Sequence, residues 1–220
     1  MRRKIIPAIN LEDFKIVDEE TDAIYLSYQE INHIYKTDLS AYPNLIGPRN
    51  LFVLGCLTGL RFSDFSAIRP EDVRNGMLYK KQGKSDHWVV IPLRKEANEI
   101  LQNFEQNISY IHNGTFNRYV KEIGKHAGLT MTIKFSHKKG NQDIVTSKPK
   151  YEWITSHTCR RSFCTNEFLA GTPAELIMKI SGHKSLRDFY RYIRITAEEA
   201  GMKIKEIWMK RGEIMSVDGY

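Results

Sequence analysis

Thr58-Gly59-Leu60-Arg61, His157-Thr158-Cys159-Arg160 and Ser181-Gly182-His183, the last followed nine positions later by Tyr192, contain two arginines, two histidines and a tyrosine. That set suits attack on a phosphodiester. An arginine's planar fork donates two parallel hydrogen bonds to phosphate oxygens and keeps its charge. Two forks, from Arg61 and Arg160, would neutralise the non-bridging oxygens as a pentavalent transition state gathers charge. Donors placed in advance are the largest contribution to such catalysis. A phenol, with an unperturbed pKa of about 10, is a poor nucleophile near neutrality. It needs positive charge close by or a base for its proton, and His157 or His183 can help in either way. The departing 5′ oxygen needs a proton, which Lys84 can deliver from a hairpin turn.

These side chains must be held by the elements around them. Ser27 predicts a helix over Tyr28–Lys36, with Glu30 at the capping-box position. A second helix follows Pro43-Asn44 to about Leu57, and Gly59 breaks it, so that Arg61 sits at or just after a turn. Ser63-Asp64 opens a short helix ending before Pro70, and Asp64 lies one turn on from Arg61, where it can hold the guanidinium. Met77–Lys81 and Trp88–Pro92 read as strands joined by a turn over residues 82–86. Helical periodicity covers 95–105 and 115–127, the second closed by Gly128. A strand over Met131–Phe135 precedes a basic turn at Lys138–Gln142. A helix over His157–Leu169 sets His157 and Arg160 on one face. Thr172 as N-cap and Pro173 at the first helical position open a helix to Ile180. Further helices cover 186–193 and 197–210. On one helix Tyr190 and Tyr192 face different ways, and these residues alone do not choose between them. The expected fold is mainly α with a small antiparallel β-sheet, an α+β domain.

The chain has 220 residues, enough for one domain with a real core, and 41% hydrophobic residues indicate a globular protein. Lys and Arg exceed Asp and Glu by 33 to 26, a net charge of +7 that favours polyanionic partners, nucleic acid before an anionic membrane surface. Cys56, Cys159 and Cys164 are odd in number without a CxxC pair, which argues against a disulfide scaffold and for a reducing, bacterial cytoplasmic setting. His157, Cys159, Cys164 and His183 match no common zinc spacing, and the cysteines read as small apolar packing residues. No apolar run approaches the ~20 residues of a membrane span, and the N-terminus is no signal peptide. A soluble intracellular protein is expected. A metal-dependent nuclease would need clustered Asp and Glu, a pattern not found in the sequence.

Four segments in this order resemble the catalytic domain of tyrosine site-specific recombinases, the phage-integrase superfamily, and especially the integrases of mobile elements. They are Thr58–Asp64, Gln82-Gly83-Lys84 ahead of Val89–Leu93, His157–Phe163, and Ser181–Ser185 with Tyr192. The resemblance spans about residues 25–200, with an arm over 1–24 and a tail helix in 201–220. It assigns catalysis to Arg61, Lys84, His157, Arg160, His183 and Tyr192, with Asp64 in support. It also selects Tyr192 over Tyr190, and the distance from Pro92 selects Lys84 over Lys81. The implied chemistry is a 3′-phosphotyrosyl link to DNA that a 5′ hydroxyl reseals, with no metal, ATP or other cofactor. Lys81, Lys138, Lys139, Arg161 and Lys184 are expected to track phosphates of double-stranded DNA without reading sequence. For Lys138 and Lys139 a merely soluble surface is an equal alternative.

The apolar composition shows no obvious extra interface, so a monomer is expected in solution. The family implies assembly on DNA, up to a tetramer, with the tail either on its own core or on a neighbour. Two departures stand out. Ser181 replaces the family's usual Leu and is expected to affect packing more than chemistry. Only about 25 residues precede the catalytic region, where relatives carry a DNA-binding domain. The rival readings are a DNA-relaxing enzyme of the type IB topoisomerase kind and a non-catalytic DNA-binding module of the same fold.

Overall fold

The computed structural model describes residues 23–84, 86–103, 111–139 and 142–212, so all but the last two residues of the expected arm lie outside it, as do the side chains at 137–139 and 142–143. In chain order come helices α1 (Tyr28–Lys36), α2 (Pro43–Thr58) and α3 (Phe62–Phe65), then strands β1 (Val73–Arg74), β2 (Met77–Lys81) and β3 (Trp88–Pro92). Helices α4 (Lys95–Gln102) and α5 (Asn113–His126) lead to strands β4 (Thr132–Lys139) and β5 (Gln142–Pro149). Helices α6 (Ser156–Ala170), α7 (Ala174–Ser181), α8 (Leu186–Tyr190) and α9 (Ala197–Arg211) complete the described chain. The fold is mainly helical with small antiparallel sheets, as the sequence predicts.

Helix α2 forms the axis of the core. Leu51, Phe52, Val53, Leu54 and Cys56 are all buried, and a helix apolar on every side belongs inside a domain. Helices α1, α4, α5 and α6 pack around it. Helix α1 starts at the expected capping box, in which the Glu30 amide donates to the Ser27 hydroxyl and the Ser27 amide donates to the Glu30 carboxylate. Tyr28, Arg94 and Thr172 donate to the Glu167 carboxylate at 2.5, 2.7 and 2.8 Å. That one carboxylate ties α6 to three other parts of the chain.

Gly59 ends α2 in the left-handed conformation at φ +67°, and a Cβ there would lie 2.3 Å from Cδ1 of Phe163. Only glycine permits both the turn and the close approach of α6. Strands β1, β2 and β3 form a sheet in that order, with Leu78 opposite Ile91 and Lys80 opposite Val89. Leu78, Val89 and Ile91 point into the core, while Met77, Tyr79, Trp88 and Val90 alternate outward.

Three expectations change. Lys138 and Lys139 lie at the end of β4, not in a turn, because that strand runs on and pairs with β5 from Thr132↔Pro149 to Lys139↔Gln142. The β-branched run Ile144-Val145-Thr146 favours the second strand of this pair. Thr172 gives its hydroxyl to Glu167, and Pro173 takes the N-cap position of α7. Helix α8 stops at Tyr190, three residues early. The Tyr192 amide donates to the Phe189 carbonyl in a tight turn. Beyond it the Thr165 hydroxyl, on α6, donates to the Tyr192 carbonyl and accepts from the Arg194 amide, both at 3.1 Å. Tertiary bonds draw the chain off the helical path.

Phe163, Cys164, Ile177 and Phe189 form a second small core, with Tyr192 packed against it. Cys159 is buried too and donates its thiol to the Phe52 carbonyl at 3.6 Å, a packing role. Helix α9 contributes no buried residue, and Met202, Ile204, Ile207, Trp208 and Met209 stand exposed along it. Its first turn is fixed by a Thr196–Glu199 capping box, and the Tyr25 hydroxyl donates to that same Glu199 carboxylate.

Candidate active site

Arg61 is the N-cap residue of α3, delivered there by the Gly59 turn, and is half-buried. Its Nη1 donates to Oε1 of Gln82 at 3.3 Å. Asp64 does not take the expected partner. Its Oδ1 accepts from the Gly83 amide at 2.9 Å, and no ion pair joins it to Arg61. From α3 the buried carboxylate faces the base of the β2–β3 hairpin, where a backbone N–H needs an acceptor. Asp64 therefore positions the turn that carries Lys84.

Gln82 went unassigned in the sequence, yet it is 0% exposed and bonds in three directions. Besides accepting from Arg61, it donates through Nε2 to the Ile180 carbonyl at 3.2 Å, and its amide donates to the His87 carbonyl at 2.9 Å. Gly182, at φ +69°, lies so close that a Cβ would fall 2.0 Å from Gln82 Oε1. In the sequence Gln82 belongs to a turn and to one of the segments resembling the family, with no role of its own. The pointer to more was a glycine placed directly before His183.

Helix α6 brings the other half of the site. The Ser156 amide donates to Asn117 Oδ1 at 2.7 Å and Thr155 caps the first turn, which sets His157 on the surface and Arg160 one turn deeper. Arg160 is 1% exposed. Its Nη1 donates to the Gly59 carbonyl at 3.0 Å and its Nε to Nε2 of His183 at 3.3 Å, while Nη2 has no partner among the described residues. Desolvation first, and then the Arg61 charge, lower its pKa to about 10, so it stays cationic at neutral pH. Arg61, His157 and Arg160 line a cleft of about 260 Å³ with Ser63 and Asn113 at its rim.

The remaining residues converge from α7 and α8. The His183 ring centroid lies 4.6 Å from that of Tyr192, and the Arg160 guanidinium carbon lies 5.3 Å from the Tyr192 ring. Tyr192 is thus half-buried against both a cation and an imidazole. Tyr190 is 50% exposed and meets Phe168 and Phe189 edge-on. Ser181 is not the packing residue expected. Its hydroxyl donates to the Ile177 carbonyl at 2.7 Å and lies 2.8 Å from Nδ1 of His183.

Lys84 sits exposed in the hairpin turn with no hydrogen bond or ion pair among the described residues. Its two rivals are occupied: Lys80 bonds Asp72 at 2.9 Å and Lys81 pairs with Asp86 at 2.7 Å. Lys184 borders a second cavity of about 520 Å³ that also touches Trp88 and His183. Arg161 is half-buried and feels the Arg194 charge beside it. The side chains of Lys138 and Lys139 lie outside the described residues.

Both histidines are held neutral. Desolvation, then Arg160 and Arg61, push His183 from 6.5 down to about 3. Desolvation, then the charges of Arg161, Arg160, Arg61 and Lys84, lower His157 as well. A histidine that resists protonation when folded leaves the unfolded chain to bind that proton first. His183 therefore adds stability in full above pH 6.5 that is lost as pH falls toward about 3. Melting temperature should drop between pH 7 and pH 4, and His183→Gln should flatten that drop. Identical pH slopes in the two proteins would contradict this account.

A mainly helical domain that gathers two arginines, two histidines and a tyrosine beside a lysine-bearing hairpin defines a distinct class. The chain matches the family model described as the phage integrase family over residues 25–199, and it belongs to that family. No curated protein sequence matches it. Its fold is similar to that of XerA recombinase, at 16% identity and a TM-score of 0.59, covering 87% of this chain and 66% of that one. It is similar to XerH site-specific recombinase in a post-cleavage complex with palindromic difH substrate, at 16% identity and a TM-score of 0.59, covering 96% and 59%. A lambda integrase (75–356) dimer bound to a COC′ core site matches at 19% identity and a TM-score of 0.59, covering 82% and 62%. The chain thus spans no more than 66% of the length of these three relatives.

Proposed function

We propose that this chain is the catalytic domain of a site-specific recombinase that integrates or excises a mobile element by cutting and rejoining double-stranded DNA. Tyr192 Oη attacks phosphorus, a phosphotyrosyl bond forms at the 3′ side, and the bond to the 5′ oxygen breaks. His157, neutral at pH 7, takes the phenolic proton, and Lys84 protonates the departing oxygen. The reverse reaction with a 5′ hydroxyl restores the strand, so one ester replaces another and no energy source is consumed.

Arg160 carries this reading. A guanidinium is buried, bonded on two sides and left with Nη2 unpaired among the described residues, 5.3 Å from the ring of the proposed nucleophile. A buried donor without a partner is costly, and a phosphate oxygen would satisfy it. The net charge of +7 and the phosphate-tracking set Lys81, Lys138, Lys139, Arg161 and Lys184 suit a duplex partner. The exposed apolar residues of α9 suit docking against a second copy on DNA, with free protein monomeric. Lambda integrase is described as a dimer on a core site and as a tetramer on a Holliday junction.

The test is incubation in EDTA with duplex DNA bearing a nick or a phosphorothiolate at the cleavage site, followed by a denaturing gel. A covalent protein–DNA adduct is expected. DNA binding without an adduct on any such substrate would favour the non-catalytic module. Relaxation of supercoiled DNA by a species that never oligomerises would favour the topoisomerase-like reading.

A further inference from the structure

We propose that Ser181 is a positioning residue that fixes the tautomer of His183, and through it the setting of the Arg160 fork. The inference deepens the site reading above and rests on it for its catalytic consequence, but the bonds behind it stand independently.

The chain of donors closes from both ends. An arginine Nε–H can only donate, so His183 Nε2, 3.3 Å from Arg160 Nε, must be the acceptor. A neutral imidazole carries one proton, which therefore sits on Nδ1. Nδ1–H then donates to the Ser181 hydroxyl at 2.8 Å. The single hydroxyl proton of Ser181 is left to donate to the Ile177 carbonyl at 2.7 Å. Every donor meets an acceptor. With the proton on Nε2 instead, two N–H groups would face each other across the Arg160 contact, and the serine would have one proton for two acceptors.

Ser181 is 0% exposed, so water cannot substitute for its hydroxyl. Among the described residues Ser181 is the hydrogen-bond partner of Nδ1. Arg160 and Arg61 are cations, and Phe189 and Tyr192 present ring faces or edges. Leucine, usual in the family at this position, offers no such acceptor. In this chain the imidazole is oriented from behind by a residue that acts only through the ring and the guanidinium.

The test uses the ring nitrogens of His183, read by long-range proton–nitrogen correlation NMR on the folded protein and assigned by His183→Gln. The wild type should show an Nδ1–H ring. In Ser181→Ala the buried Nδ1–H loses its acceptor, so the ring should swing out of the Arg160 contact and show Nε2–H or a mixture. Ser181→Thr, which keeps the hydroxyl, should restore Nδ1–H. Single-turnover cleavage should fall about 10- to 100-fold in Ser181→Ala, taking as a guide the scale on which hydrogen-bond partners behind metal-ligating histidines act, with recovery in Ser181→Thr. An Nε2–H ring in the wild type, or an unchanged ring in Ser181→Ala, overturns the proposal. The wild-type spectrum decides even if Ser181→Ala fails to fold. These spectra do not depend on DNA cleavage, so failure of the recombinase reading would leave a different trace: an Nδ1–H ring in a protein that forms no adduct.

Discussion

Tyr192→Phe will abolish the covalent DNA adduct, lowering cleavage on the order of 10⁴-fold or more, the scale on which loss of an enzymatic nucleophile acts. Tyr190→Phe will cut normally. The phenyl ring of the first variant keeps the contacts with His183 and the second core, so melting temperature should change little. Only the oxygen is lost. Tyr190 sits on the last turn of α8 with half its surface in solvent, against Phe168 and Phe189, and has no ring contact with His183 or Arg160 among the described residues. Denaturing gels of both variants on one nicked substrate make the comparison. An adduct that survives Tyr192→Phe and vanishes in Tyr190→Phe would reverse the assignment.

Arg160→Lys will cost about 10²- to 10³-fold in single-turnover cleavage, the penalty for removing a preplaced donor from a developing oxyanion. DNA affinity, measured at one fixed salt concentration, should change far less, because a surface of many cations supplies it. Lysine keeps the charge but not the planar fork. It cannot bond the Gly59 carbonyl, His183 Nε2 and a phosphate oxygen together, as the geometry of Arg160 allows. A variant whose cleavage falls only as far as its binding would show that net charge suffices, and the fork would lose its proposed role. Melting temperature should fall as well, since the Gly59 carbonyl is buried with Arg160 and would lose its donor.

Most of the fold was legible because its signals are local. Ser27 and Glu30 announce α1, Gly59 ends α2, and the alternation in Met77–Lys81 and Trp88–Pro92 matches the observed strands. The site was legible as residue types at spacings. What escaped notice were bonds between distant segments. Asp64 looked like a partner for its sequence neighbour Arg61, whereas the hairpin brings Gly83 to it. Gln82 gains its role from Arg61 on another element. Ser181, visible only as a departure from the family's Leu, gains its role from the way the Gly182 turn folds His183 back onto it. Tyr192 was placed on a helix because periodicity cannot register that Thr165, on α6, takes hold of the chain there.

That hold has a mechanical consequence. Only Ile193, Arg194, Ile195 and Thr196 lie between Tyr192 and the first turn of α9, a leash of about 14 Å at full stretch. One hydroxyl clasps it by two bonds of 3.1 Å, and hydrogen bonds weaken steeply once stretched or tilted. A pull on the tail would therefore reach the Tyr192 backbone through four residues and load those two bonds first.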